Sequence, residues 1–341
     1  MRVKITNISI LQTRSNYQSK VDRFKKMQGD SLPVHAAHQT QDTPLILQAT
    51  KRPRWGFVKT IVVISVLIYA VILILPLLLS FFYSFTNLNP LFPNTKFVGL
   101  QNYTNLLTDS DFRNALTKTI SLSLSVTVIA NVLGLGVALL LNRDTFFFAV
   151  LRTLFFIPQV LSGVIVAFIW SIILTTNNGI LNILLSQLGI ISKNIAWLGL
   201  PNLAFLSLTA VIIWQQMGFC TVIYLAALRG IPEDLYEAAI IDGARTWDKF
   251  RRITFPLLAP GVTTTIVLLL IITLKLYDQV AVLTAGGPGG ATETLAYYIV
   301  RVTFTNNDAG YGSAMSLVLF VLIAISSVAL TIYLRKREVE Y

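Results

Sequence analysis

A chain of 341 residues that is 54% hydrophobic and only 13% charged, with a mean hydropathy of +0.68, falls outside the ordinary soluble globular class. Its net charge of +11 does not point to nucleic acid. The basic residues are spread over the flanks of apolar segments and a terminal tail, where anionic lipid head groups account for them, so membrane lipid is an expected partner and nucleic acid is not.

Residues 1–57 are polar, with Gln at 12, 18, 28, 39, 41 and 48 and both histidines of the chain, His35 and His38. They are expected to form a disordered cytoplasmic tail. No apolar h-region follows the early basic residues, so the first span, not a signal peptide, is expected to target the chain. The two histidines have no Cys, Asp or Glu between them or within three residues on either side. Stable metal sites need three or four protein ligands, so no metal is expected. Met27 admits a later translation start, which the intact mass of the native chain decides.

Six predominantly apolar windows follow, at roughly 61–82, 119–141, 154–176, 204–228, 262–284 and 313–334. Each has the ~20 residues that a bilayer crossing requires at a rise of about 1.5 Å per residue. A helix satisfies its own backbone hydrogen bonds in hydrocarbon, and the ten-residue alternation of an outer-membrane barrel is missing. The expected fold class is all-α, a polytopic membrane protein of six transmembrane helices filling 58–337, with a short cytoplasmic tail at 338–341. Pro76 and Pro158 are expected to mark kinks. The segment Ile180 to Ile191 contains Asn182, Ser186 and Gln187, is too short to cross, and is read as an interfacial or external helix.

Orientation follows from the distribution of positive charge. The segments 51–60, 142–153, 229–260 and 335–341 hold fourteen Lys and Arg residues. The opposite segments hold five: Lys96, Arg113, Lys118, Lys193 and Arg301. Cytoplasmic loops carry the excess, so both termini and the 229–260 insert are expected in the cytoplasm. Cys220, the single cysteine, lies in the fourth window and is read as a small buried apolar side chain.

The insert between windows four and five is the most distinctive stretch. Pro232, Glu233 and Asp234 suit a helix start and Gly243 a left-handed C-terminal cap, which predicts a short helix over about 232–242. Leu235, Ala238, Ala239 and Asp242 then share one face. Thr246 is expected to cap a second short helix bearing Trp247, Phe250 and Ile253 or Thr254, ended by Pro256. Two readings fit: an amphipathic pair resting on the bilayer with Arg251 and Arg252 at head groups, or a docking element for another protein.

Glu237-Ala238-Ala239, Asp242-Gly243-Ala244, then Phe250, Ile253 and Pro256 resemble the EAA loop of permease subunits in binding-protein-dependent ABC importers. Trp214-Gln215-Gln216-Met217-Gly218-Phe219, Leu283-Thr284-Ala285-Gly286-Gly287-Pro288 and Thr292-Glu293-Thr294 are similar to the sugar-permease, maltose-type branch. The likeness covers about 58–337. It implies a permease domain in the bacterial or archaeal cytoplasmic membrane, half of a pore for a sugar or related polyol. Glu237, Ala238, Ala239, Asp242 and Gly243 are implied as the docking site for a separate ATPase. The implied partners are two ATPase copies, a second and non-identical permease, and an external substrate-binding protein. No cofactor is implied in this chain, since ATP and Mg belong to the ATPase, and the chain itself is not expected to be an enzyme.

The Gly286 to Gly290 run is read as an external turn, because no GxxxxGK[ST] sequence occurs to cradle a phosphate. Lys275 and Asp278 are the only charged residues well inside a window, where each costs ~2.5–3.5 kcal/mol. Three apart on a helix, they are expected to neutralise each other, either as a structural pair or as a polar path lining. A neutral polyol needs stacking faces and hydrogen-bonding groups, and Trp214, Gln215, Gln216, Tyr224 and Tyr277 could supply them. Each could equally be interhelical glue or an interfacial anchor. A non-sugar solute, or an ion-coupled secondary transporter using Asp278, are the alternatives.

Overall fold

The computed structural model describes residues 55–92, 94–336 and 338, so residues 1–54, with Met27, His35 and His38, and most of the 338–341 tail lie outside the described residues. The chain divides into two compact units, Met1–Val62 and Val63–Tyr341. The described part of the first, 55–62, is helical, and both hydrophobic cores lie in the second.

Helices account for every regular element among the described residues, and β-structure is confined to two isolated bridges, Thr86↔Phe97 and Asn89↔Phe92. α1 comprises Trp55–Tyr69, a π-helical turn Ala70–Ile74 and Leu75–Tyr83. The π turn falls just before Pro76, whose missing N–H cannot continue an i→i−4 ladder. Next come α2 (Gln101–Thr108), α3 (Ser110–Leu141), α4 (Phe146–Val160), α5 (Gly163–Ile173), α6 (Ile180–Gln187) and α7 (Pro201–Arg229). The insert carries α8 (Glu233–Ile241) and α9 (Thr246–Lys249), the latter followed by a π turn Phe250–Thr254 and a short Phe255–Leu257 helix. α10 (Ala259–Leu274), α11 (Asp278–Leu283), α12 (Leu295–Val300) and α13 (Ala309–Arg335) are the last helices among the described residues.

Among the described residues, four helices are long and apolar enough to cross a bilayer: Lys59–Tyr83, Ser110–Leu141, Pro201–Arg229 and Ala309–Arg335. Two bent pairs bring the number to six if each is one span: α4 with α5, at 98°, and Thr246–Leu257 with Ala259–Leu274, at 60°. Windows three and five are interrupted, where the sequence predicts single continuous helices, the third kinked at Pro158. The third breaks at Leu161 and Ser162, both extended, with Ser162 Oγ accepting from Ile165 N to start α5 afresh. Pro158 lies inside α4, three residues ahead of that break. The fifth ends at Leu274, and residues 275–277 separate it from α11. Window two starts nine residues earlier than its hydropathy indicates. Asp109 caps α3 by accepting from Asp111 N and Phe112 N, and this charged first turn is helical without being apolar.

α3 is the central element, packed against α7, α10, α4 and α12. Its interior face carries Leu122, Val126, Ala130 and Ala138 into a core shared with Leu208, Val211, Ile212 and Cys220 of α7. Cys220 is fully buried. Where α7 crosses α4, a Cβ at Gly218 would lie 2.4 Å from the Phe155 carbonyl oxygen, so the absent side chain sets the helix separation. Lipid tails are as apolar as leucine, so buried polar groups supply specificity in such a bundle. Tyr224 Oη donates to Asn131 Oδ1 at 2.7 Å and accepts from Thr265 Oγ1 at 3.0 Å, joining α7, α3 and α10. Each interhelical hydrogen bond of this type adds only about 0.6 kcal/mol on average, whereas an orphaned group in hydrocarbon costs several times more. Such bonds therefore select one arrangement of helices more than they drive association.

Candidate functional site

The insert forms a bent helical hairpin outside the long helices. α8 begins after Pro232, which takes the cap position one residue ahead of the expected first turn, with Glu233 and Asp234 at the positive end of the dipole. It ends in a Schellman arrangement: Gly243 N donates to Ile240 O at 3.0 Å and Ala244 N to Ala239 O at 2.9 Å, with Gly243 at φ +75°. The second helix is shorter than expected. Arg245, not Thr246, is its N-cap and no side chain bonds there, while Pro256 opens the Phe255–Leu257 helix in place of ending the segment.

What holds the hairpin is a pair the sequence did not single out. Tyr236 Oη and the buried Thr254 Oγ1 lie 3.0 Å apart, fixing α8 against the π turn. Ile231, Leu258 and Ile253 pack the base into the main core. At the foot of α7, Arg229 Nη2 sits 2.9 Å from Asp144 Oδ1, but both side chains are exposed, so the pair is worth at most about 1 kcal/mol.

The face that emerges is apolar and uncovered. Leu235 is 41% exposed, Ile240 59%, Ile241 86% and Trp247 67%. Glu237, Ala238, Asp242 and Gly243 are likewise exposed, and Ala239 is half-buried. A groove of about 420 Å³ runs between the two arms, lined by Ala239, Asp242, Ala244, Asp248, Arg252 and Ile253. It combines small residues with both signs of charge, the composition a partner helix or loop can enter closely.

The path candidates separate into two groups. Gln215, Gln216 and Tyr224 are buried within this one chain. Gln215 Nε2 donates to Leu161 O at 3.0 Å and its Oε1 accepts from Gln279 Nε2 at 2.9 Å. Trp214 is 38% exposed, with Trp170 edge-on at 5.5 Å. Tyr277 is half-buried and stacks on Tyr297 at 6.0 Å. Lys275 and Asp278 are exposed at the interruption between α10 and α11, and among the described residues no ion pair within 4.0 Å joins them. The expected neutral pair on a continuous helix does not form, because the helix ends at Leu274 and the helical spacing that would bring positions three apart together ends with it.

At the other end of the bundle a carboxylate organises the turns. Asp109 Oδ2 accepts from Tyr298 Oη at 2.9 Å and Tyr311 Oη at 2.7 Å, while Oδ1 caps α3. Burial alone would raise its pKa, but the hydrogen bonds from Tyr311, Phe112, Tyr298 and Asp111 outweigh that and hold it below the usual carboxylate range. Burial, then the bond to Asp109, pushes the Tyr298 hydroxyl up, so it stays a donor. The Gly286 to Gly290 run is a turn with Gly286, Gly289 and Gly290 at positive φ. Beneath it Glu293 Oε1 lies 2.9 Å from Arg301 Nε, and Nη2 supplies the hydrogen bond to Oε2 at 3.3 Å. Asn182 at the start of α6 gathers its loop, bonding Thr176 O, Ile195 O and N, and Trp197 Nε1.

A helical membrane bundle with broken spans and an uncovered hairpin between two of them is the framework of a transport permease. The profile of the family described as Binding-protein-dependent transport system inner membrane component matches residues 130–339, more than half of the chain, and the chain belongs to that family. It is 35% identical over 274 residues to the probable starch degradation products transport system permease protein AmyD of Thermoanaerobacterium thermosulfurigenes, covering 79% of this chain and 91% of that one. The trehalose/maltose transport system permease protein MalF of Thermococcus litoralis is also 35% identical, covering 80% and 91%. The multiple sugar-binding transport system permease protein MsmF of Streptococcus mutans matches at 35%, covering 80% and 93%. In fold, the chain superposes on a chain of a bacterial ABC transporter involved in the import of alginate with a TM-score of 0.73 at 22% identity, covering 83% of this chain and 96% of that one.

Proposed function

We propose that this chain is one permease subunit of an ATP-driven importer for a sugar or related polyol, forming half of the translocation path. The observation that carries the cargo class is the similarity, over 79–80% of this chain, to relatives named for starch products, trehalose and maltose, and multiple sugars. The path is completed by a second permease. The hairpin docks on a separate ATPase present in two copies, where ATP and Mg are bound, and an external binding protein delivers the cargo. Both termini and the hairpin lie in the cytoplasm.

Exposed Leu235, Ile240, Ile241 and Trp247 on a segment outside the long helices support docking, since a soluble surface does not otherwise leave such side chains together in water. Exposed Trp214, Lys275 and Asp278 support a path along the face of α7 and the α10–α11 interruption, with Tyr277 at its edge. Gln215 and Tyr224, whose polar atoms are committed to neighbouring helices, act in the frame of that path. Uptake of radiolabelled maltodextrin, trehalose and other sugars into vesicles holding the whole complex tests this. Accumulation should follow ATP, ignore uncouplers, and disappear in Glu237→Lys while the subunit remains in the membrane. Uptake that collapses with an uncoupler, or that survives Glu237→Lys undiminished, would overturn it.

A further inference from the structure

Two broken spans meet at a single pair of glutamines. At the first break the carbonyl of Leu161 loses its helical partner, and Gln215 of α7 supplies a donor to it. At the second break Gln279, one residue into α11, donates to the other end of the same amide. Leu161 O fixes which way the Gln215 amide points, since only its nitrogen can donate, and this leaves Oε1 to Gln279. Both side chains are buried, at 4% and 5% exposure. Gly163, the first residue of α5, lies against Gln279: a Cβ there would stand 2.8 Å from Nε2. Within the second break, Leu276 O accepts from Thr294 Oγ1 at 2.8 Å. Beyond the breaks, α5 and α11 pack against each other.

We infer that Gln215 and Gln279 are positioning residues that lock the two interruptions together, so that α5 and α11 move as one body during transport. An unsatisfied carbonyl in hydrocarbon is expensive, so Leu161 travels with Gln215 and does not let go. α7 is an unbroken helix from Pro201 to Arg229. Gln215 lies fourteen residues from its end, about 21 Å at the helical rise. A displacement of the hairpin along α7 therefore reaches both breaks through one side chain. The transport arm and the comparison of nucleotide states rest on the permease reading above; the broadening of the distance in the glutamine variants does not.

Spin labels at Ile172 of α5 and Val282 of α11, in a Cys220→Ala background of the assembled complex, report the separation of the two short helices. A second pair, Ile172 with Leu206 of α7, reports their position against the rod. The Ile172–Val282 distance should be one narrow distribution, the same in nucleotide-free and nucleotide-trapped complexes. In Gln215→Leu and Gln279→Leu it should broaden or split. The rate of sugar uptake should fall about ten-fold, the change expected for one lost hydrogen bond in the rate-setting arrangement, with the concentration of binding protein at half-maximal rate unchanged. A Ile172–Val282 distance that shifts between the two nucleotide states of the unsubstituted protein would overturn the proposal without any glutamine variant. Narrow distributions and an undiminished uptake rate in both leucine variants would overturn it equally.

Discussion

Replacing Gly243 separates the geometry of the hairpin turn from the room around it. Its φ of +75° lies in the left-handed region, and a Cβ built there meets no atom within 4 Å. A side chain at 243 therefore pays a backbone cost and nothing else within this chain. That cost is about 1–2 kcal/mol for alanine and more for a β-branched residue, while asparagine tolerates the region best. Proline is different in kind: its ring fixes φ near about −65°, and it removes the N–H that Gly243 donates to Ile240 O. Roughly 1 kcal/mol of hydrogen bond is lost, and the last turn of α8 must unwind. Uptake and sugar-stimulated ATPase activity of the assembled complex should rank Gly and Asn above Ala, Ala above Val, and Pro lowest. Membrane insertion, read by the amount of subunit recovered with its partners' membrane fraction, should be unaffected throughout. If Asn proves as damaging as Val while Ala is silent, bulk and not φ governs the position. The turn-geometry reasoning would then be wrong, and a partner surface must approach Gly243 directly.

Three further outcomes follow from the packing and the electrostatics. Gly218→Ala places a Cβ 2.4 Å from the Phe155 carbonyl oxygen and should destabilise the detergent-solubilised complex by about 1–3 kcal/mol, whereas Gly136→Ala, with open space around it, should be neutral or raise the unfolding midpoint. Equal midpoints for the two would show that α4 and α7 do not cross so closely. Asp109→Asn keeps a helix cap but cannot accept from both Tyr298 and Tyr311, and should lower stability at neutral pH by an amount on the order of one charged hydrogen bond, about 1.5–3 kcal/mol. Because Asp109 is held below the usual carboxylate range, its contribution is complete above the unfolded value near ~3.9 and is lost as pH falls through the lower folded value. Thermal scans of both proteins in acid should therefore converge over that window, and a constant difference down to the lowest pH would contradict the assignment.

Much of this architecture is legible because lipid imposes a single dominant rule. Apolar windows four and six differ from α7 and α13 by only a few residues at each end, and the short 180–191 segment is indeed a separate helix, Ile180–Gln187. Hydropathy reads what faces hydrocarbon, so it fails where a helix is continuous but wet, as in the first turns of α3, and where apolar sequence is not continuous helix. The breaks after Val160 and Leu274 belong to the second case. Nothing in Leu161-Ser162 or Lys275-Leu276-Tyr277 is a strong breaker by composition. The interruptions persist because Gln215 and Thr294, remote in sequence, meet the freed carbonyls of Leu161 and Leu276, while Gln279 donates to the amide oxygen of Gln215.

The same distinction sorts the polar residues of the spans. A glutamine or tyrosine in an apolar window reads identically whether it lines a path or serves a neighbouring helix, and only the partner's position decides. Gln215 reaches the first break and Tyr224 reaches Asn131, so their polarity is spent on the frame. Lys275 and Asp278 are the reverse case. Read as a helical pair they cancel each other, but at the interruption they stay exposed and unpaired with one another, and each charge in a membrane-spanning subunit must then meet water or a partner's polar group. Replacing either by a neutral residue should therefore leave folding of this chain nearly unchanged, because no ion pair of its own is broken, and act on uptake instead. Lys275→Met and Asp278→Asn made singly and together settle the matter. Paired structural residues would give a double variant healthier than either single one, while residues facing a path or a partner give losses of transport that add.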